Sequence, residues 1–200
     1  MPKKRVDRRI VRSREAIKGA FERLLVKMPL SDITVSAIAR EANIDRKTFY
    51  VHFGTVDGLI DSLAEDAVSE VADYVERNTD FGSLESAQDS DQAARLFFSA
   101  VNQAVCSNLV LNRQILENIP LEEFMERVRK PLEREIQMRQ IVPERIKDEM
   151  FDYYLSYILS GLIGIYRTWA LADDGIAIER VSQVANDLTM LGLSSLKGRL

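Results

Sequence analysis

Apolar residues in this 200-residue chain recur at spacings of three, four and seven, and sustained alternation is missing. A period of 3.6 without a period of 2 predicts an all-α fold. The clearest case is residues 7–28, where Ile10, Ile17, Phe21, Leu24, Leu25 and Met28 stack on one face. Arg8, Arg9, Arg12, Arg14 and Lys18 fill much of the remaining surface. Pro29 stops this helix, because a proline pushes the residue before it out of the α region. A short helix over 35–42 follows, with Thr34 as N-cap and Val35, Ile38 and Ala39 buried. Ala42-Asn43-Ile44-Asp45 reads as a tight turn, in which Asn43 tolerates a left-handed backbone and Asp45 caps the next helix, over 46–52. Gly54-Thr55 breaks that helix, and Thr55 caps a long one reaching to residue 78.

Residues 78–92 are rich in Ser, Asp, Asn and Gln and read as a loop. Helices are predicted beyond it at 92–107, 109–118 and 121–140, the last bent or split at Pro131. A long helix over 143–172 has Pro143 in its first turn, and a final helix covers 176–196. Asp173-Asp174-Gly175 turns between these two, which predicts an antiparallel hairpin.

The charge is unevenly placed. Over the whole chain 27 basic residues face 31 acidic ones, and a net charge of −4 speaks against a nucleic-acid partner. Residues 1–53, however, hold 13 basic and 6 acidic side chains, a net of +7. Residues 54–200 hold 14 basic and 25 acidic, a net of −11. Such asymmetry points to a basic, polyanion-facing module joined to a different body.

Other classes are disfavoured. The longest uncharged stretch that looks membrane-like, Tyr153 to Tyr166, has 14 residues, fewer than the ~20 of a spanning helix. Met-Pro-Lys-Lys-Arg opens the chain with no apolar run behind it, so no signal peptide is expected and the expected location is cytoplasmic. One Cys and one His make neither an internal disulfide nor a His/Cys metal site, and no cofactor is expected. The carboxylates at 122–126 and 144–152 alternate with Arg and Lys as solvated helix faces do, with no nucleophile–base pair. An enzyme is therefore not expected, and no catalytic residue is assigned.

The segment 34–53 carries the function. Two short helices joined by a three- to four-residue turn form the unit that sets its second helix in the DNA major groove. Arg46 and Lys47 stand in the first turn of that helix, where side chains reach base edges. Tyr50 and His52 follow one turn later, where a hydroxyl and an imidazole can donate to phosphates. Thr34 and Ser36 add hydroxyls at the start of the supporting helix. Lys3, Lys4, Arg5, Arg8 and Arg9 form a basic arm suited to phosphates or the minor groove.

The run from Ile33 to Phe53, with its Thr48-Phe49-Tyr50-Val51-His52-Phe53 core, resembles the DNA-binding signature of the tetracycline-repressor (TetR) family over about residues 8–60. The resemblance implies an N-terminal helix-turn-helix domain (1–55), a connecting helix (56–78) and a C-terminal effector-binding and dimerisation domain (79–200). It implies a homodimeric transcriptional regulator, usually a repressor, that binds a palindromic double-stranded operator and is released by a small-molecule effector. By position, Thr48, Tyr50 and His52 would touch the DNA backbone, and Arg46 and Lys47 would read bases or line the groove. This chain departs from the family at Asn43, where a turn glycine is usual, and at Lys47, where a small residue is common. It also has Val56 beside Asp57 where a lysine is often found.

The C-terminal part is read less sharply. Phe98, Phe124, Tyr154, Tyr157 and Trp169 are the candidate lining of a ligand pocket, weighed against ordinary core packing. Gly161 and Gly164 permit close helix approach, and Val181, Val184, Leu188 and Leu191 add a second apolar strip. Together they predict dimerisation through the helices at 143–172 and 176–196, as a four-helix bundle. Cys106 reads as a small buried apolar residue rather than a redox group. A constitutive DNA-binding protein, whose C-terminal part only dimerises or recruits a protein, remains the alternative.

Overall fold

The computed structural model describes residues 8–78, 87–139, 149–172 and 174–194, and the side chains at 87–94 and 192–194 are left aside. Among the described residues every regular element is helical, as the periodicity predicts. The helices are α1 (Arg8–Leu25), α2 (Val35–Glu41), α3 (Arg46–Phe53), α4 (Val56–Asn78), α5 (Ala87–Ser107), α6 (Leu109–Asn118), α7 (Leu121–Arg139), α8 (Phe151–Ala172) and α9 (Ile178–Ser194), with a 3-10 turn at Leu30–Asp32. The chain divides into two compact units, Met1–Leu63 and Ala64–Leu200, and the division falls within α4.

In the first unit α1, α2 and α3 pack on one another. Ile17, Phe21, Ile38, Phe49 and Leu59 are fully buried and form its centre. α1 ends at Leu25 rather than Met28, because the chain turns ahead of Pro29. Ile10, expected on the packed face, is 48% exposed. It lies seven residues ahead of Ile17, two turns before the packed part of the helix begins.

In the second unit α5 packs on α9, α6 and α7 each pack on α8, and α8 packs on α9 as the predicted hairpin. One apolar cluster joins Phe98 with Leu162, Tyr166, Ile178 and Ala185. A second joins Ile136 with Leu155 and Leu159. Cys106, expected to be buried, is exposed at the end of α5. The hairpin turn is held by Gly175 at φ +72° and by Asp174 Oδ1, which accepts the Ile176 N–H at 3.0 Å.

Three further features differ from expectation. α5 starts at Ala87, so the polar residues to 92 are helical rather than loop. Polar composition alone does not stop a helix. α7 runs unsplit through Pro131, which is itself buried, although a proline removes one ladder bond. α8 starts at Phe151 rather than 143, after a turn at 149–150. The reading of Pro143 lies outside the described residues, as do the basic arm at residues 3–5 and the final residues of the last predicted helix.

Candidate nucleic-acid interface

The turn between α2 and α3 is made by local chemistry. The Ile44 N–H donates to the Ala39 carbonyl at 3.0 Å and the Asn43 N–H to the Arg40 carbonyl at 3.2 Å. These two bonds close the end of α2 in the Schellman pattern. The residue past the cap must then be left-handed, and Asn43 has φ +54°. Asparagine fills the place because its short polar side chain tolerates that conformation.

Both helices carry side-chain caps. Thr34 Oγ1 accepts the Ala37 N–H at 3.2 Å. Asp45 Oδ1 accepts the Thr48 N–H at 2.7 Å. That backbone bond, with smaller help from the Thr48 side chain and from Lys47, holds the Asp45 carboxyl below its ordinary value despite some desolvation. The Thr48 side chain is thereby engaged in the cap.

Phe49 and Phe53 anchor α3, with ring centroids 5.8 Å apart. Behind them the Arg14 guanidinium lies 4.8 Å from the centre of the Phe53 ring. The same Arg14 donates to Ser62 Oγ at 2.7 Å, so α1 ties the end of α3 to the start of α4. Arg23 and Lys27 pair with Glu41 at 2.8 and 3.5 Å, fixing the end of α1 to the end of α2. The bond from Arg23 is the main reason that the Glu41 carboxyl stays low, with Lys27 adding to it against some desolvation.

The outward side of this frame is polar and cationic. Thr34, Ser36, Arg46, Lys47 and Tyr50 are exposed, and Thr48 and His52 are half-buried. Arg46 Nη1 reaches Ser36 Oγ at 3.4 Å, which links α3 to the start of α2. The seven residues picked from the sequence thus lie on two consecutive capped helices of one unit. Sequence reasoning passed over Val51, which is 74% exposed on α3. Its signal was available: Val51 lies two residues from both buried rings, about 200° around the axis from each.

The candidate pocket residues do not share one environment. Phe98 is buried in the cluster with Tyr166, and Trp169 packs against that cluster while its Nε1–H donates to the Ile176 carbonyl at 2.7 Å. Tyr157 is 75% exposed, and Phe124 and Tyr154 are half-buried. Among the described residues no group of three or more His, Cys, Asp or Glu side chains could hold a metal ion. No described helix is long and apolar enough to cross a membrane.

A short capped helix, set by a left-handed turn on a second capped helix and presenting cations outward, defines the helix-turn-helix class of transcriptional regulators. Residues 20–63 match the family described as bacterial regulatory proteins, tetR family. The chain is 27% identical over 181 residues to an uncharacterized HTH-type transcriptional regulator, YxbF, of Bacillus subtilis strain 168, covering 82% of this chain. The chain spans 41% of that relative's length. Its fold is similar to that of a TetR transcriptional regulator from Streptococcus agalactiae 2603V, with a TM-score of 0.58 and 23% identity over 92% of this chain and 96% of that one. It is also similar to the fatty acid degradation regulator FadR from Bacillus halodurans, with a TM-score of 0.63 and 12% identity over 90% of this chain and 96% of that one.

Proposed function

We propose that the protein is a sequence-specific DNA-binding regulator that acts as a homodimer in the cytoplasm. In this reading it represses from a palindromic operator and is released by a small-molecule effector. The observation that carries the DNA reading is the outward set Arg46, Lys47 and Tyr50 on α3, with His52 half-buried beside it. Lys47 faces away from Phe49 and Phe53 and lines the groove floor. Arg46, linked to Ser36, works at the groove edge, where it can exchange a 3.4 Å hydroxyl contact for a base or a phosphate. Thr34, Ser36, Thr48, Tyr50 and His52 fix register on phosphates.

The dimer reading rests on the outer faces of α8 and α9. Tyr153, Tyr157, Val184, Leu188 and Leu191 are exposed at helical spacings, and a side chain added at Gly161 or Gly164 would meet open space. A second copy covering these faces gives a four-helix bundle and removes the apolar surface from water. It also presents two copies of α3, whose half-sites must lie about 34 Å apart for one helical turn.

Effector release rests on α4, whose residues contribute to both units. An effector that favours one arrangement of the C-terminal unit changes the separation of the two readers, and operator must weaken effector as effector weakens operator. The burial of Phe98 and the exposure of Tyr157 favour a second reading, in which the C-terminal unit only dimerises. A duplex selected from random DNA separates the two when titrated with compounds that raise the melting temperature of the full chain. Release by a stabilising compound supports induction; stabilisation with unchanged operator affinity rules that compound out as inducer.

A further inference from the structure

Val51 is the residue of α3 turned farthest from its support. Phe49 and Phe53 are the buried residues of this helix, and Val51 is opposite both. It is 74% exposed, more than Tyr50 at 55%. A branched apolar side chain there contributes little to packing within the unit, and valine is among the poorer helix formers. Lys47 stands one turn earlier on the same face, and Tyr50 and Arg46 follow it around one side of the helix. The arrangement is an apolar tip set among cations and a hydroxyl. In duplex DNA the complement is the major groove: phosphates along its walls, and on its floor one apolar group, the thymine C5-methyl.

We propose that Val51 is a specificity-determining residue whose isopropyl group packs on a thymine methyl in each operator half-site. The assignment rests on the DNA-reading function proposed above. It gives α3 two kinds of readout: Lys47 seeks an acceptor on a base edge, and Val51 recognises a methyl that only thymine supplies among the four bases.

The test uses the full chain and a duplex selected from random DNA. Each thymine of a half-site is replaced in turn by deoxyuridine, which removes only the methyl, and binding is followed by fluorescence anisotropy. For the wild type, one thymine position per half-site should weaken binding about fourfold when its methyl is removed, the worth of one buried methyl. Val51→Ala should bind the thymine duplex about fourfold more weakly per half-site and show no response to deoxyuridine there. Because Val51 is exposed, its truncation leaves the core intact, and an unchanged melting temperature checks this. Equal deoxyuridine sensitivity in wild type and Val51→Ala, or none in either, overturns the assignment while leaving the DNA reading standing. A wild-type chain that selects no sequence overturns both. Unchanged DNA binding by Val51→Ala would equally overturn the assignment.

Discussion

The Asp45 carboxylate accepts the backbone N–H of Thr48 at 2.7 Å, and on that bond the start of the reading helix depends. The folded protein holds the Asp45 carboxyl below its ordinary value, chiefly through this bond. The charged form therefore favours the folded state above the unfolded value of about 3.9. That contribution is lost as pH falls through the lower folded value. Wild type should be more stable than Asp45→Asn at pH 7, and the gap should close on acidification towards pH 3. Urea unfolding at both pH values checks this, and a gap independent of pH would contradict it.

Gly58 has no room for a side chain. A Cβ built on it would stand 2.1 Å from the Phe53 carbonyl oxygen, which is backbone and cannot swing aside. Gly58→Ala must therefore shift the first turn of α4 against the end of α3. The expected cost is about 1–3 kcal/mol, the usual range for overpacking. Denaturant melts should show the loss.

Arg139 gathers three carboxylates. It bonds Asp73 at 2.6 Å and Glu135 at 2.5 Å, and it also bonds Glu76. Arg134 pairs with Glu65 at 2.6 Å on the same two helices. These bonds clamp the C-terminal part of α4 to α7 within the second unit. Arg139→Ala leaves the buried Glu135 without its cation and should cost about 1–3 kcal/mol, the range for bonds to charged groups. Arg139→Lys should recover only part, since an ammonium lacks the planar fork. Thermal melts of the three proteins test the order.

Leu188 and Leu191 are exposed apolar residues near the end of α9, at 58% and 69%. If a second copy covers them, Leu188→Glu with Leu191→Glu should place like charges in the interface and yield monomers. Light scattering after gel filtration reads the mass directly. An unchanged mass would contradict the α8–α9 interface.

The legible parts of this chain were those fixed by near neighbours. Thr34, Asn43 and Asp45 announce the caps and the turn because each acts on backbone within three residues of itself. Phe49 and Phe53 announce the buried side of α3 by their spacing. What escaped depends on distant partners or on where packing begins. Ile10 keeps the apolar spacing of α1 but is half exposed at that end. Nothing beside Gly58 in the sequence signals that the turn at Gly54 brings the Phe53 carbonyl against it. Arg139 and Glu135 stand four residues apart, but Asp73 and Glu76 join them only in the fold. The aromatics of the supposed pocket carried no such local rule. Tyr157 faces outward and Phe98 inward for reasons that lie in the packing of α8 with α5 and α9.

Whether α3 reads DNA sequence is the central claim, and Lys47→Ala tests it most directly. The side chain is exposed, so the variant should fold as wild type does. Affinity is measured by fluorescence anisotropy on a selected duplex and on a scrambled one at fixed salt. Wild type should prefer the selected duplex by a wide margin. Lys47→Ala should shrink that margin by about 1–3 kcal/mol while weakening the scrambled duplex much less. Equal losses on both duplexes would make Lys47 a phosphate contact only. A wild type with no preference between them would contradict the account.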